Sequence, residues 1–146
     1  MTTPKTIAIV NGPNLNLTGI REPEIYGNLS FDDYLKQLRL SFPEVEILYF
    51  QSNVEGEIIN FLQSCMGKVA GILCNAGGYT HTSVAIADCI AAIQIPVIEI
   101  HISHVLAREE FRKHSFMASK CIGTISGLGM EGYRLGIVYF LSKFKS

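Results

Sequence analysis

Short apolar runs alternate with amphipathic segments along the chain, and this order constrains the fold more than any other feature of the sequence. The runs have the length of buried strands, and the segments between them carry apolar residues at helical spacing. Strands that alternate with helices predict a parallel sheet covered on both faces. Five strands are predicted, over residues 7–10, 45–50, 69–74, 96–102 and 122–125.

The helical segments carry start and stop signals of their own. Ser30 is the predicted N-cap of the first helix, which Pro43 ends. Further helices are predicted at 58–66, 82–93, 106–111 and 133–141. Five strand–helix units are typical of an α/β, flavodoxin-like, doubly wound five-stranded parallel sheet with three layers, α/β/α. At 146 residues the chain is expected to form a single catalytic domain, residues 1–146.

Composition narrows the class of partner. The sequence has 12 Lys and Arg residues against 13 Asp and Glu residues, so it has no basic surface for nucleic acid and no polybasic membrane signal. No apolar run reaches membrane-spanning length. The four cysteines have neither metal-ligand nor redox spacing, which favours a reducing, cytoplasmic setting. Because the positive and negative side chains nearly balance, an acidic ligand would be held by the local geometry of its site and not by the overall charge.

The loop after the first predicted strand, residues 11–27, is long for a strand–helix connection, which usually has about 2–6 residues. A long loop at this end of a strand is a candidate lid. It carries the amide of Asn14, the cation of Arg21 and the phenol of Tyr26. Each of these residues alone is typical of a surface turn. Together, beside the expected ligand site of a doubly wound sheet, they favour a functional interpretation.

The loop after the third strand, residues 75–83, begins with Asn75 and contains two glycines and His81. The glycines allow the backbone to approach a ligand closely. The N-terminus of the following helix would suit an anion, and Thr82 or Ser83 is also expected to cap that helix.

The fourth strand ends in an acid and a histidine. Glu99 and His101 are two residues apart and are expected to share a face of the strand. A carboxylate beside an imidazole fixes its tautomer and increases its basicity, so we interpret the pair as functional. Arg108 and Arg112 follow one helical turn apart. One of them could clamp a carboxylate while the other is a solvated charge.

Histidines near these loops raise the question of a metal. His101 and His104 are three residues apart across the end of a strand, which is a weak pattern for zinc, and the sequence has no HExxH unit. It also has no GxGxxG loop after the first strand and no Walker lysine. We therefore expect neither a bound metal nor a phosphate loop.

Five stretches of the chain resemble the type II 3-dehydroquinate dehydratase family. They occur in the family's order and span almost the whole chain: residues 11–27, 75–83, 99–103, 108–112 and 127–133. One position departs from the family pattern, because His104 stands where Asn is expected. The departure leaves the expected catalytic residues in place and affects only the local geometry of that loop.

The resemblance implies a lyase that needs no cofactor and no metal. The implied reaction is the reversible anti elimination of water from 3-dehydroquinate to give 3-dehydroshikimate through an enolate. It belongs to the shikimate pathway, which leads to chorismate and the aromatic amino acids. The implied assembly is a homo-oligomer, a dodecamer built of trimers.

The resemblance also assigns roles to residues. Tyr26 is the expected base, Arg21 the cation that favours its phenolate, and His101 the acid that Glu99 orients. Asn14 is expected to hold a water on the enolate oxygen. The expected substrate-binding set is Asn75, His81 and Arg112 for hydroxyls, the backbone N–H groups of Ile102 and Ser103 for the carboxylate, and Asp88 from a neighbouring subunit.

Asp88 lies in a segment, residues 84–93, that is apolar nearly all round. Such a helix is expected to be buried on more than one side, and the second side could be a subunit interface. From the residues alone, a hydrogen bond within the chain is an equal alternative for this carboxylate.

Two other classes of function are open to a chain of this pattern. One is a flavodoxin-like binding or signalling module, which a yellow colour from bound flavin would indicate. The other is an interaction protein that has kept the fold and lost the activity, which the presence of Tyr26, Arg21 and His101 disfavours.

Overall fold

Five strands and four α-helices form the part of the chain that the computed structural model describes, residues 5–20, 24 and 28–144. The strands are β1 (Lys5–Asn11), β2 (Val45–Gln51), β3 (Gly71–Asn75), β4 (Val97–His101) and β5 (Gly123–Ser126). The helices are α1 (Phe31–Ser41), α2 (Glu55–Ser64), α3 (Val84–Ile93) and α4 (Glu131–Phe144). None of the helices in these ranges is both long enough and apolar enough to cross a lipid bilayer.

The sheet is parallel throughout, with the strand order β2-β1-β3-β4-β5. This is the flavodoxin-like order, and the predicted fold class is confirmed. The register pairs Asn11 with Asn75 across β1 and β3, and His101 with Ser126 across β4 and β5. The carboxyl ends of parallel strands meet at one edge of the sheet, so the polar residues that follow β1, β3 and β4 are gathered there.

Two apolar cores cover the two faces of the sheet. Ile7 and Ile9 of β1 point to one face and pack with residues of α1 and α4. Ala8 and Val10 point to the other face and pack with residues of α2 and α3. This alternation is the two-residue period of a strand, and it produces the three layers α/β/α.

Capping residues in the sequence mark the starts of two of the four described helices. Ser30 caps α1, with its Oγ accepting a hydrogen bond from the Asp33 N–H at 3.2 Å. Ser83 caps α3 in the same way, through the Ile86 N–H at 2.9 Å.

The prediction of a helix over residues 106–111 is wrong. Two short 3-10 turns, Val105–Ala107 and Glu110–Lys113, stand there instead, and Arg108 between them is extended. The physical reason is the lack of a face to bury, because Leu106 is 60% exposed and Phe111 is 56% exposed. Most helices in proteins depend on such packing for their stability.

Candidate active site

A cavity of about 120 Å³ opens at the carboxyl edge of the sheet, between the segments that follow β1, β3 and β4. Its lining is mainly polar, as suits a small hydrophilic molecule. Seven of the residues predicted from the sequence line it: Asn14, Asn75, His81, His101, Ile102, Ser103 and Arg112. The topology of the sheet thus brings together residues that are far apart in the sequence, from Asn14 to Arg112.

Glu99 and His101 form a buried pair beneath the cavity. The two side chains lie on the same face of β4, as predicted, with His101 Nε2 2.5 Å from Glu99 Oε2. Glu99 is 2% exposed and His101 6%. The second carboxylate oxygen, Oε1, accepts a hydrogen bond from Ser115 Oγ at 3.0 Å. Because Nε2 faces the carboxylate, Nδ1 is the ring nitrogen available to a bound molecule.

His81 lies beside His101, with the ring centroids 6.3 Å apart and the rings tilted by 18°. Its Nδ1 lies 2.7 Å from the backbone carbonyl oxygen of His114. A carbonyl can only accept, so Nδ1 carries the proton and Nε2 of the neutral ring is an acceptor. His81 can therefore accept a hydrogen bond from a hydroxyl group in the cavity.

A buried hydrogen-bond network holds Asn75. The Asn75 Nδ2 donates to the Tyr133 hydroxyl at 3.0 Å, and the same hydroxyl donates to Asn11 Oδ1 at 2.7 Å. Asn75 Oδ1 accepts from the Gly77 N–H at 3.2 Å. Burial raises the pKa of Tyr133 far above its usual value, so this phenol stays neutral. Sequence reasoning missed Asn11 and Tyr133 because α4 brings Tyr133 to the site from the far end of the chain.

Asn14 has a left-handed backbone, with φ at 71°. Asparagine tolerates this conformation better than most residues do. The Asn14 N–H donates to Asn53 Oδ1 at 3.0 Å, which fixes the start of the long loop on the segment after β2. Within the described ranges its side-chain amide makes no hydrogen bond and is available to a ligand or a water.

The loop after β5 orients the peptides around Ile102. The Gly127 N–H donates to the His101 carbonyl at 3.1 Å, and the Gly129 N–H donates to the Ile102 carbonyl at 3.0 Å. In a planar trans peptide the N–H points opposite to the C=O. The N–H groups of Ile102 and Ser103 therefore both point away from the glycine loop. Gly127 has φ at 90°, which L side chains rarely adopt.

Both arginines of the segment after β4 line the cavity, so neither is simply a solvated charge. Arg108 Nη1 donates to Ser103 Oγ at 3.0 Å. Arg112 Nε donates to Glu109 Oε2 at 3.1 Å, and its guanidinium lies over the Phe111 ring. The cavity thus has two cations at one wall.

Three predicted features lie elsewhere. Asp88 is exposed on α3 and does not line the cavity of its own chain. One side of this helix packs into the core of its own chain and the other is exposed, so a second buried side at a subunit interface stays a prediction. A 3-10 turn, Gly77–His81, separates β3 from α3, and the N-terminus of α3 is not part of the cavity. His104 is exposed and does not line the cavity; it borders an adjoining pocket that shares Ile102, Ser103 and Arg108 with it.

Two predicted residues, Tyr26 and Arg21, lie outside the described residues. Among the residues that the structure does describe, no group of three or more His, Cys, Asp or Glu side chains is placed to hold a metal ion.

The chain is similar in sequence to enzymes of one family. A family model described as dehydroquinase class II matches residues 5–141. The 3-dehydroquinate dehydratase of Fusobacterium nucleatum is 51% identical over 144 residues, which cover 94% of this chain and 97% of that protein. The 3-dehydroquinate dehydratase of Campylobacter jejuni is 49% identical over 145 residues, covering 96% and 91%.

Solved structures agree with the sequence comparison. The type II dehydroquinase from Butyrivibrio crossotus superposes with a TM-score of 0.91 at 40% identity and covers 95% of this chain and 99% of that chain. The type II dehydroquinase from Propionibacterium acnes has a TM-score of 0.91 at 34% identity, with 97% and 99% covered. The sequence and the fold agree, and the chain belongs to the class II dehydroquinase family.

Proposed function

We propose that this chain catalyses the dehydration of 3-dehydroquinate to 3-dehydroshikimate in the shikimate pathway. The observation that carries the proposal is the His101–Glu99 pair at a small polar cavity, in a chain that matches the family over nearly its whole length. The substrate is a β-hydroxy ketone with a carboxylate. Its elimination needs one group to take a proton beside the ketone and another to protonate the departing hydroxyl.

His101 is the proposed acid. Its Nε2 faces the Glu99 carboxylate, which stabilises the protonated ring, and Nδ1 would deliver the proton to the leaving hydroxyl. The hydroxyl then departs as water, and the ring is left neutral. A positioned acid of this kind typically contributes about 10²–10⁴-fold in rate. The elimination is reversible, so in the other direction the neutral ring takes a proton from water.

Tyr26 is the proposed base. Its phenolate would remove the proton beside the ketone, and the cation of Arg21 would favour that phenolate. Buried tyrosines elsewhere are poor alternatives. Burial raises the pKa of Tyr34 to about 12 and raises the pKa of Tyr49 and Tyr133 as well. The electrons of the broken C–H bond move onto the ketone oxygen as an enolate. Asn14 is proposed to hold a water against that oxygen.

The remaining groups are proposed to bind the substrate. Asn75, His81 and Arg112 would contact its hydroxyls. In support, the network through Tyr133 fixes the amide of Asn75, and His81 has a free acceptor nitrogen. The N–H groups of Ile102 and Ser103, both directed away from the glycine loop, would bind the carboxylate. Binding of a carboxylate by consecutive backbone donors is common in proteins.

The purified protein is expected to convert 3-dehydroquinate to a conjugated enone in the presence of chelator and without added cofactor. The rise in ultraviolet absorbance from the enone measures the reaction directly. Loss of activity with chelator, restored by zinc or magnesium, would contradict the proposal. So would an imine trapped by borohydride, because the proposed mechanism uses no Schiff-base lysine.

A flavin-binding module is the second candidate, and it rests only on the flavodoxin-like strand order. Yellow protein without dehydratase activity would support this candidate. Colourless protein with activity would exclude it.

We also propose that the chain acts as a homo-oligomer, a dodecamer built of four trimers, in which Asp88 completes the site of a neighbouring subunit. Support comes from the exposed side of α3, which is apolar except for this carboxylate. Val84 on that side is 56% exposed in the single chain. A second subunit would bury this apolar side and bring Asp88 to another cavity.

Mixed assembly tests the role of Asp88. Tyr26→Phe and Asp88→Ala subunits are each expected to have low activity alone. When they are refolded together, some sites would combine an intact Tyr26 with an intact Asp88 from the neighbour, and activity should return. Formation of mixed oligomers, shown by differently tagged subunits, without recovery of activity would contradict the proposed contact.

A cytoplasmic location is proposed from the cysteines. All four are free thiols. Burial raises the pKa of Cys65 to about 11 and that of Cys121 to about 12, so they stay protonated and serve as small apolar side chains. A reducing compartment suits such a set.

A further inference from the structure

Ser115 connects the backbone behind the cavity to the buried carboxylate of Glu99. Its Oγ lies 3.0 Å from Glu99 Oε1 and 3.1 Å from the backbone nitrogen of Ala118. The neighbouring residues fix the segment further. The Phe116 N–H donates to the Thr80 carbonyl at 3.0 Å, and the His114 carbonyl accepts from His81. The hydroxyl therefore lies on a segment that is tied by hydrogen bonds to the loop after β3.

Counting protons decides the direction of each hydrogen bond. The Ala118 nitrogen is a backbone donor, so Ser115 Oγ accepts there. A serine hydroxyl has a single proton, which leaves that proton for Glu99 Oε1. Oε1 is thus an acceptor, and Oε2 faces His101 Nε2. Both carboxylate oxygens are thus engaged, one by the Ser115 hydroxyl and the other by the His101 ring.

Among the residues that the structure describes, the neighbours of Glu99 include two thiols. The Glu99 side chain is 2% exposed. The neighbouring thiols, Cys74 and Cys121, stay neutral because burial raises their pKa, and the charge of Glu99 raises it further. Burial of an isolated carboxylate costs free energy, so the contacts of Glu99 with Ser115 and His101 determine where its side chain is stable.

We propose that Ser115 is a positioning residue for the reaction: its hydroxyl fixes the Glu99 carboxylate, and through it the ring of His101. The inference rests on the proposed function and extends it to a residue 14 positions beyond His101, which the fold alone brings to the pair. Ser115 does not line the cavity, so it acts on the substrate only through its neighbours.

A double-mutant cycle tests whether Ser115 acts through Glu99. Ser115→Ala is expected to lower kcat by about tenfold to a hundredfold, the usual effect of losing a hydrogen bond to a charged group, with KM nearly unchanged. In a Glu99→Gln background the same substitution should lower kcat by less than about threefold, because the group it positions is already altered. An equal loss in both backgrounds, or a change in KM alone, would overturn the inference.

The chain offers a matched control at Ser52. Its Oγ also accepts from a backbone N–H, that of Val54 at 2.9 Å, and also donates to a carboxylate, that of Glu57. This pair lies on the α2 side of the sheet, outside the cavity. Ser52→Ala removes an equivalent pair of hydrogen bonds, with a carboxylate that is exposed, and should leave kcat unchanged. A loss of kcat as large as that of Ser115→Ala would show a general effect of stability and contradict a specific role.

Ser115→Thr and Ser115→Val extend the test, because the two side chains have nearly the same shape and differ in the hydroxyl. The Thr variant is expected to keep most of kcat and the Val variant to lose it. Crystal structures should show His101 against Glu99 with Thr and displaced with Val. An unmoved ring in the Val variant would defeat the inference. Failure of the wild type to dehydrate 3-dehydroquinate would contradict the proposed function alone. The crystal structures would still decide whether Ser115 positions Glu99 and His101.

Discussion

His101→Ala is expected to abolish measurable turnover of 3-dehydroquinate while leaving the fold intact. Without a proton donor the substrate would have to expel hydroxide, a poor leaving group, and loss of a general acid typically costs about 10²–10⁴-fold in rate. Removal of the side chain also leaves Glu99 Oε2 without its contact to the His101 ring. Steady-state kcat, with circular dichroism to check the fold, measures the effect.

Two neighbouring substitutions serve as controls. Glu99→Gln should lower kcat less, because His101 keeps its place but loses the anion that stabilises its protonated form. His104→Asn should be close to wild type, since His104 is exposed and does not line the cavity. An inactive His104→Asn enzyme beside an active His101→Ala enzyme would reverse the assignment of the acid.

Tyr26→Phe is expected to lower kcat by at least about 10²–10⁴-fold, because phenylalanine has no group that can take the proton beside the ketone. The fold should survive, which thermal unfolding would check. Near wild-type turnover in this variant would require another base.

Arg21→Ala probes the same step from the side of the cation. An ordinary phenol ionises with a pKa of about 10. One part of the pH profile of kcat/KM reports the ionisation of the base. If Arg21 favours the phenolate, its removal should move that part of the profile toward higher pH. An unshifted profile would remove Arg21 from this role.

Much of the fold could be predicted because the signals are local. The apolar runs gave the five strands, and Ser30 marked the start of α1 through a hydrogen bond to a residue only three positions away. The segment around Arg108 was mispredicted because its charged residues have helical spacing but no buried apolar face. The choice between helix and irregular turns there depends on tertiary packing, which a local pattern does not contain.

The site follows the same division. Glu99 and His101 could be paired from the sequence because a strand places alternate residues on one face. Ser115, Tyr133 and the glycines after β5 could not, because nothing in their local sequence indicates what they contact. Tyr133 reaches Asn11 across 122 positions of sequence. Asp88 could be singled out as an unusual charge in an apolar helix, but it is exposed in the single chain and its proposed role needs a second subunit.

The glycine loop after β5 has a consequence for how the enzyme would respond to acidity. Gly127 and Gly129 hold the carbonyls of His101 and Ile102, so the proposed anchor for the substrate carboxylate is made of peptide N–H groups. Peptide groups carry no proton that comes off between acid and neutral pH. The hold of this anchor on the substrate carboxylate would therefore stay constant over the range in which imidazole and phenol change charge. Any pH dependence of substrate binding would then come from other groups, such as the imidazole of His81, and not from the anchor.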